Sequence, residues 1–138
     1  MARALRWLLL VLALVASATL ALILTLCFTS VANAFCPPDD LVSGDVCTAL
    51  WAPAAYSTGS CIATSLGALL AVFSAYYLAP SARRTVVWFV VVLSALLPFY
   101  LCWGRLSDWE FFPAVLVAVI AASILTRHAS YQARLQNA

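Results

Sequence analysis

The sequence predicts an all-α membrane protein: a four-transmembrane-helix bundle of up-down topology with both termini on the cytoplasmic side. Composition is the first reason. Of 138 residues, 66% are hydrophobic and 9% charged, with a mean hydropathy of +1.05, whereas soluble domains carry about a quarter charged residues. The second is segmentation. Four apolar stretches, residues 8–32, 58–79, 85–103 and 109–126, approach the roughly 20 residues needed to cross a bilayer as a helix. The third is charge placement. Arg3, Arg6, Arg83, Arg84, Arg127 and Arg134 flank the stretches on one side. Asp39, Asp40, Asp45, Asp108 and Glu110 lie on the other, with Arg105 as the lone basic residue there. Cytoplasmic segments near spans carry the excess of Lys and Arg, which puts both termini inside. Four spans consume most of the chain, so a single integral membrane domain is expected over residues 1–138.

The first span, residues 8–32, follows a positive stretch with Arg3 and Arg6 and precedes Ala32-Asn33-Ala34, which has the look of a signal-peptidase site. A signal peptide's apolar core runs to about 7–15 residues, and the run here is longer. The reading is therefore a retained span. Ala13, Ser17, Ala21 and Thr25 recur every fourth residue and share one helical face. Cys27 is expected to be a buried thiol within this span.

Residues 33–57 form the only long connection. Pro37-Pro38-Asp39-Asp40 and Ser43-Gly44-Asp45 are turn signals. Val46–Ala52 reads as a short helix on the membrane surface, with Leu50 and Trp51 dipping inward. Cys36 and Cys47 bracket the acidic turn on the side where cysteines are oxidised. Cys61 and Cys102 lie at a similar outer depth. Four cysteines permit three pairings, and sequence alone does not choose among them. The expected bridge is Cys36–Cys47, a structural one, which would stabilise the loop by roughly 2–3 kcal/mol. Cys61–Cys102 would then form a second bridge, with Cys61–Cys47 as the alternative. Asp39, Asp40, Asp45 and Trp51 are the interaction candidates of this loop. Neither the calcium-loop pattern with its terminal Glu nor paired zinc-ligand spacing is present.

The second span, residues 58–79, carries the clearest seam: Ala63, Gly67, Ala71 and Ala75. Lipid tails are as apolar as Leu, so close backbone approach at small residues supplies association energy between helices. Pro80 and the short stretch to Arg84 predict a tight hairpin with the third span, residues 85–103, which is rich in Val and Leu. The fourth span, residues 109–126, repeats the small-residue pattern at Ala114, Ala118 and Ala122, and Pro113 sits in its first turns, where proline is tolerated. Residues 127–138 form a polar cytoplasmic tail, readable as a continuation of the helix.

No Asp, Glu, Lys, Arg or His falls well inside a span. Proton relays, ion-coupled transporters and intramembrane hydrolases need such groups despite their cost in lipid, so these classes are disfavoured. No nucleophile–base pair or phosphate loop appears. Hence no catalytic residue, cofactor site or metal site is expected, and the scattered arginines give no nucleic-acid footprint. The expected partners are the bilayer and another membrane protein, or a second copy of the chain, in a bacterial inner membrane. The expected function is that of a small non-catalytic membrane protein: an accessory or assembly subunit, or an immunity-type binder. One alternative is a periplasm-facing thiol–disulfide oxidoreductase. Four spans with two outer cysteine pairs are similar in gross layout to the quinone-linked disulfide oxidases, although that family's Cys-x-x-Cys pair and long second outer loop are absent here. The other alternative is an oligomeric channel or small-solute carrier.

Overall fold

The computed structural model describes residues 2–42, 46–79, 82–101 and 112–136. The chain is mostly helical. Helix α1 spans Ala2–Ala34, α2 spans Ala52–Leu78, α3 spans Arg83–Leu101 and α4 spans Phe112–Gln136. Between α1 and α2 lie a 3-10 turn at Pro38–Asp40 and two short strands, β1 (Leu41–Val42) and β2 (Val46–Cys47). Among the described residues, α1 and α2 are long and apolar enough to cross a membrane; the apolar part of α4, Phe112–His128, is shorter.

The helices outrun their apolar cores. Helix α1 has 33 residues, about 50 Å at a rise of roughly 1.5 Å each. Helix α2 starts at Ala52 rather than at residue 58, with Pro53 in its first turn, where the missing N–H costs nothing. Helix α4 runs on through the polar stretch to Gln136, so most of the expected tail is helical. Ala82 joins α2 to α3 with a φ of 50°, a left-handed conformation that lets a short connection reverse the chain at the expense of a Cβ clash.

One apolar cluster fixes the relative directions of the helices. Leu10 from α1, Val72 and Ala75 from α2, Val87, Val90 and Val91 from α3, and Ala118, Ala121 and Ala122 from α4 are buried together. The first part of α1 thus meets the last part of α2, the first part of α3 and Ala118–Ala122 in the first half of α4. Ser57 and Cys61 of α2 lie beside Pro113 and Leu116 of α4, and Leu69 and Phe73 beside Ile124 and Leu125, so α2 and α4 run parallel. Successive helices run in opposite directions. Arg6, Arg83, Arg84 and Arg127, all exposed, lie within about two turns of this cluster and so share one end of the molecule. The β1–β2 segment, with Asp39 and Asp40, lies at the other.

Helix α2 is central, packing against α1, α3 and α4. Its small residues serve two partners in succession. Gly59, Ala63 and Gly67 are buried. A Cβ at Gly67 would lie 2.7 Å from Cβ of Ala21 and 3.3 Å from the carbonyl oxygen of Ser17, and one at Gly59 would lie 2.7 Å from Cβ of Phe28. Helix α1 therefore rests directly on the backbone of α2. Further along, Ala71 is only half-buried, while Val72 and Ala75 turn toward α3 and α4. A step of four residues overshoots the 3.6-residue turn, so a fixed four-residue stripe winds from one neighbour to the next. On α1, Ser17 is buried and Ala13, Ala21 and Thr25 are half-buried. On α4, Ala114, Ala118 and Ala122 are buried, joined by Ala121.

Cys27 is exposed, not buried as the sequence reading has it, because the face of α1 that carries it points away from α2. The hydroxyls within the helices are satisfied locally: Ser17 donates to the Leu14 carbonyl at 2.8 Å, Thr25 to Ala21 at 3.0 Å and Thr64 to Ser60 at 2.7 Å. Among the described residues, no buried side-chain nitrogen or oxygen lacks a partner. Such internal satisfaction is what a water-free surrounding demands.

Candidate functional site: a disulfide-closed hairpin

The segment between α1 and α2 is built from its ends inward. Helix α1 closes with Phe35 N–H donating to the Ala32 carbonyl at 3.3 Å and Cys36 N–H to Asn33 at 3.0 Å. Pro37 is extended, and Pro38 starts the 3-10 turn at a position where its ring is pre-set. The Asp40 N–H reaches back to the Pro37 carbonyl at 3.1 Å. The chain then enters β1, which pairs antiparallel with β2 in the register Leu41 opposite Cys47 and Val42 opposite Val46.

Residues 46–52 are therefore not a surface helix. The disulfide explains the difference. Cys36 and Cys47 are bonded, with sulfurs 2.03 Å apart and Cα atoms 5.8 Å apart. Tying Cys47 back to the end of α1 lays Val46–Cys47 alongside β1, where its backbone groups find partners across the ladder. Since Cys47 is bonded to Cys36, the Cys61–Cys47 pairing does not form. Cys61 is half-buried on α2. Cys102 lies outside the described residues, as do Asp45, Arg105, Asp108 and Glu110.

A single side chain ties the hairpin to both flanking helices. The Tyr56 hydroxyl, from the second turn of α2, accepts a hydrogen bond from the Cys47 N–H at 3.2 Å and donates to Oδ1 of Asn33 at the end of α1. Below it, Cys47, Ala49 and Ala52 are buried against Cys36 and Tyr56. On the other side of the ladder, the Asp40 carbonyl accepts from both the N–H of Thr48 at 3.0 Å and its hydroxyl at 2.8 Å. Covalent bond, ladder, tyrosine and threonine together hold the described residues 36–42 and 46–48 against the ends of α1 and α2.

What this fixed scaffold displays is apolar. Phe35 is 77% exposed and Leu50 fully so. Leu41, Val42, Val46 and Trp51 are exposed as well. Asp39 is exposed beside them and Asp40 is half-exposed, which gives the apolar surface an acidic edge. Trp51 is the N-cap residue of α2 without a side-chain cap; its ring is on the surface. Among the described residues, no three His, Cys, Asp or Glu side chains converge.

The sequence reading placed the interaction candidates in this loop but missed Phe35, Tyr56 and Asn33. Tyr56 belongs to no motif in the sequence, and nothing local marks it as the joint of the hairpin. Below the hairpin, an apolar groove of about 740 Å³ opens between α2 and α4, lined by Ser57, Cys61, Pro113, Leu116 and Val119 among others.

No protein-family model, curated protein or solved structure matches this chain.

Proposed function

We propose that the chain is a four-span integral membrane protein without catalytic activity, which uses its disulfide-closed hairpin to bind another membrane protein as an accessory, assembly or immunity-type subunit. In this reading both termini face the cytoplasm of a bacterial inner membrane and the hairpin faces the oxidising side. Support for the membrane setting comes from the exposed apolar surface. Leu5, Leu8, Leu12, Leu22 and Leu26 on α1 alone are each more than half exposed, far more contiguous apolar surface than a soluble monomer carries.

The observation that carries the binding role is the combination of fixation and exposure at the hairpin. Flexible loops are commonly polar and lose entropy on binding. The described residues of this one are tied down by a bridge and a half-buried tyrosine, with Phe35 and Leu50 turned outward. A pre-organised apolar surface with an aromatic residue at its rim is what a protein interface uses as an anchor. The oxidoreductase reading is less well supported, because Cys47 is 3% exposed and Cys36 only half-exposed, which restricts the access that an attacking thiolate needs to the Cys36 side of the bridge.

Purification of the full chain in mild detergent tests the proposal. The wild type should bring down a defined membrane protein, or a second copy of itself. The Phe35→Ser/Leu50→Ser variant should lose that partner while accumulating in membranes as before. Recovery of the wild type alone, or equal retention of the partner by both, would contradict the binding role.

A further inference from the structure

The arginine-bearing end of the molecule has a groove of its own. Leu69 and Phe73 of α2 and Val117, Ile120, Ile124 and Leu125 of α4 line an open apolar channel of about 290 Å³. Ile120, Ile124 and Phe73 are exposed along it. Going toward the end of α4, the next residues on the face of Ile124 are Arg127 and His128, three and four positions on. Both are exposed. On the α2 wall, the Tyr77 ring stacks on that of Phe73, with centroids 6.3 Å apart and planes 8° from parallel. Tyr77 is itself 67% exposed. Beyond the apolar lining, the two helices that form the groove carry an aromatic side chain, a cation and an imidazole toward the arginine-bearing end.

The charge around this mouth has one sign. Arg6, Arg83 and Arg84 are exposed at the same end, and the sequence has no acidic residue in any segment that joins the helices there. An uncharged lipid tail alone would need no cations. A free anion would need no apolar channel. A molecule with an apolar chain and an anionic head satisfies both features at once.

We infer that this groove is a binding site for an anionic phospholipid, with one acyl chain along α2 and α4 and the phosphate at Arg127 and His128. The inference rests on the membrane setting proposed above. On that reading Tyr77, in the last turn of α2, falls at the boundary where aromatic rings partition between chains and headgroups. Arginine offers a planar fork of donors to phosphate oxygens, and the remaining arginines raise the local potential that draws an anionic head.

The test is lipid add-back to delipidated full-length protein, read by native mass spectrometry. Phosphatidylglycerol and phosphatidylcholine of identical acyl chains are compared, with inorganic phosphate as a third arm. The wild type should retain phosphatidylglycerol over phosphatidylcholine by about five-fold or more, the factor expected for even one basic side chain near a headgroup. Arg127→Gln/His128→Gln should abolish that preference. Ile124→Trp, which fills the channel from an exposed position, should lower retention of both lipids, and Leu22→Trp on the exposed face of α1 should leave it as in the wild type. Binding of inorganic phosphate at the same level as the lipid would overturn the site, as would equal retention of the two lipids or unchanged retention in both groove variants. Failure of the membrane reading has a separate signature: an alkaline carbonate wash would release the chain from membranes without detergent.

Discussion

Gly67 is one of two residues at which α1 rests on the backbone of α2. A methyl group there would sit 2.7 Å from the Ala21 Cβ, a distance that real contacts do not adopt, and Ala21 Cβ is fixed to the backbone of α1 and cannot swing aside. Gly67→Ala should therefore push α1 off α2 and lower the stability of the purified protein by about 1–3 kcal/mol, as overpacking of a close interface does. Leu66→Ala, at a 44% exposed position on the same helix, should cost less. Thermal unfolding in one detergent compares them, and equal midpoints would remove the seam from the account. Gly67 was legible in sequence because it recurs with Ala63 and Ala75 at helical spacing. Gly59, which has the same role against Phe28, was not. It lies near a presumed loop, where glycine reads as a turn, and its partner is a large residue that no small-residue pattern points to.

Tyr56 works at the same scale. Its hydroxyl is the only described side-chain link from the hairpin to Asn33 of α1. Tyr56→Phe keeps the ring in place but leaves the Cys47 N–H and the Asn33 side-chain Oδ1 without that partner. A loss of about 1–3 kcal/mol is expected from unmet polar groups. It should appear as faster amide exchange at Cys47 and in β1, with the helices unchanged. Protection identical to the wild type would mean that the disulfide alone orders the hairpin.

Among the elements, the hairpin between α1 and α2 departs most from the sequence reading. Two-residue strands are too short to show an alternation, and Val46–Ala52 is apolar enough to pass for a helix on its own. What decides its conformation is the bridge from Cys36, with a sequence separation of 11, and a bond between distant residues is invisible to a local pattern. The cysteines themselves were legible by their placement around the turn. Closing a loop of this size stabilises it by roughly 2–3 kcal/mol. Cys36→Ser/Cys47→Ser should therefore make the segment sensitive to proteolysis and reduce the amount of protein in membranes, leaving the thiol state of exported proteins as it was. Accumulation of reduced exported proteins, with the chain at normal abundance, would replace the binding role by the oxidoreductase one. The helices were easier to find than to delimit. Apolar runs mark the parts that pack on neighbouring helices or form exposed apolar surface, whereas α2 begins earlier at Ala52 and α4 continues to Gln136 through polar residues that propensity alone can keep helical.

For the whole molecule, the structure joins two features that the sequence showed separately. Charge segregation along the chain becomes separation between two ends, with Arg6, Arg83, Arg84 and Arg127 near one and Asp39 and Asp40 at the other. The central place of α2 was not legible, since small-residue faces on three helices do not say which pairs meet. The central claim is that the two ends lie on opposite sides of a membrane, with the hairpin exposed where a partner can reach it. A pair of reporter fusions tests this most directly. A reporter active only in the cytoplasm is placed after Ala138, and one active only after export is inserted between Ser43 and Asp45. Activity from both is the predicted result. A silent cytoplasmic reporter after Ala138, together with an active export reporter at the same point or a silent one in the hairpin, would contradict the orientation and with it the proposed role of the hairpin.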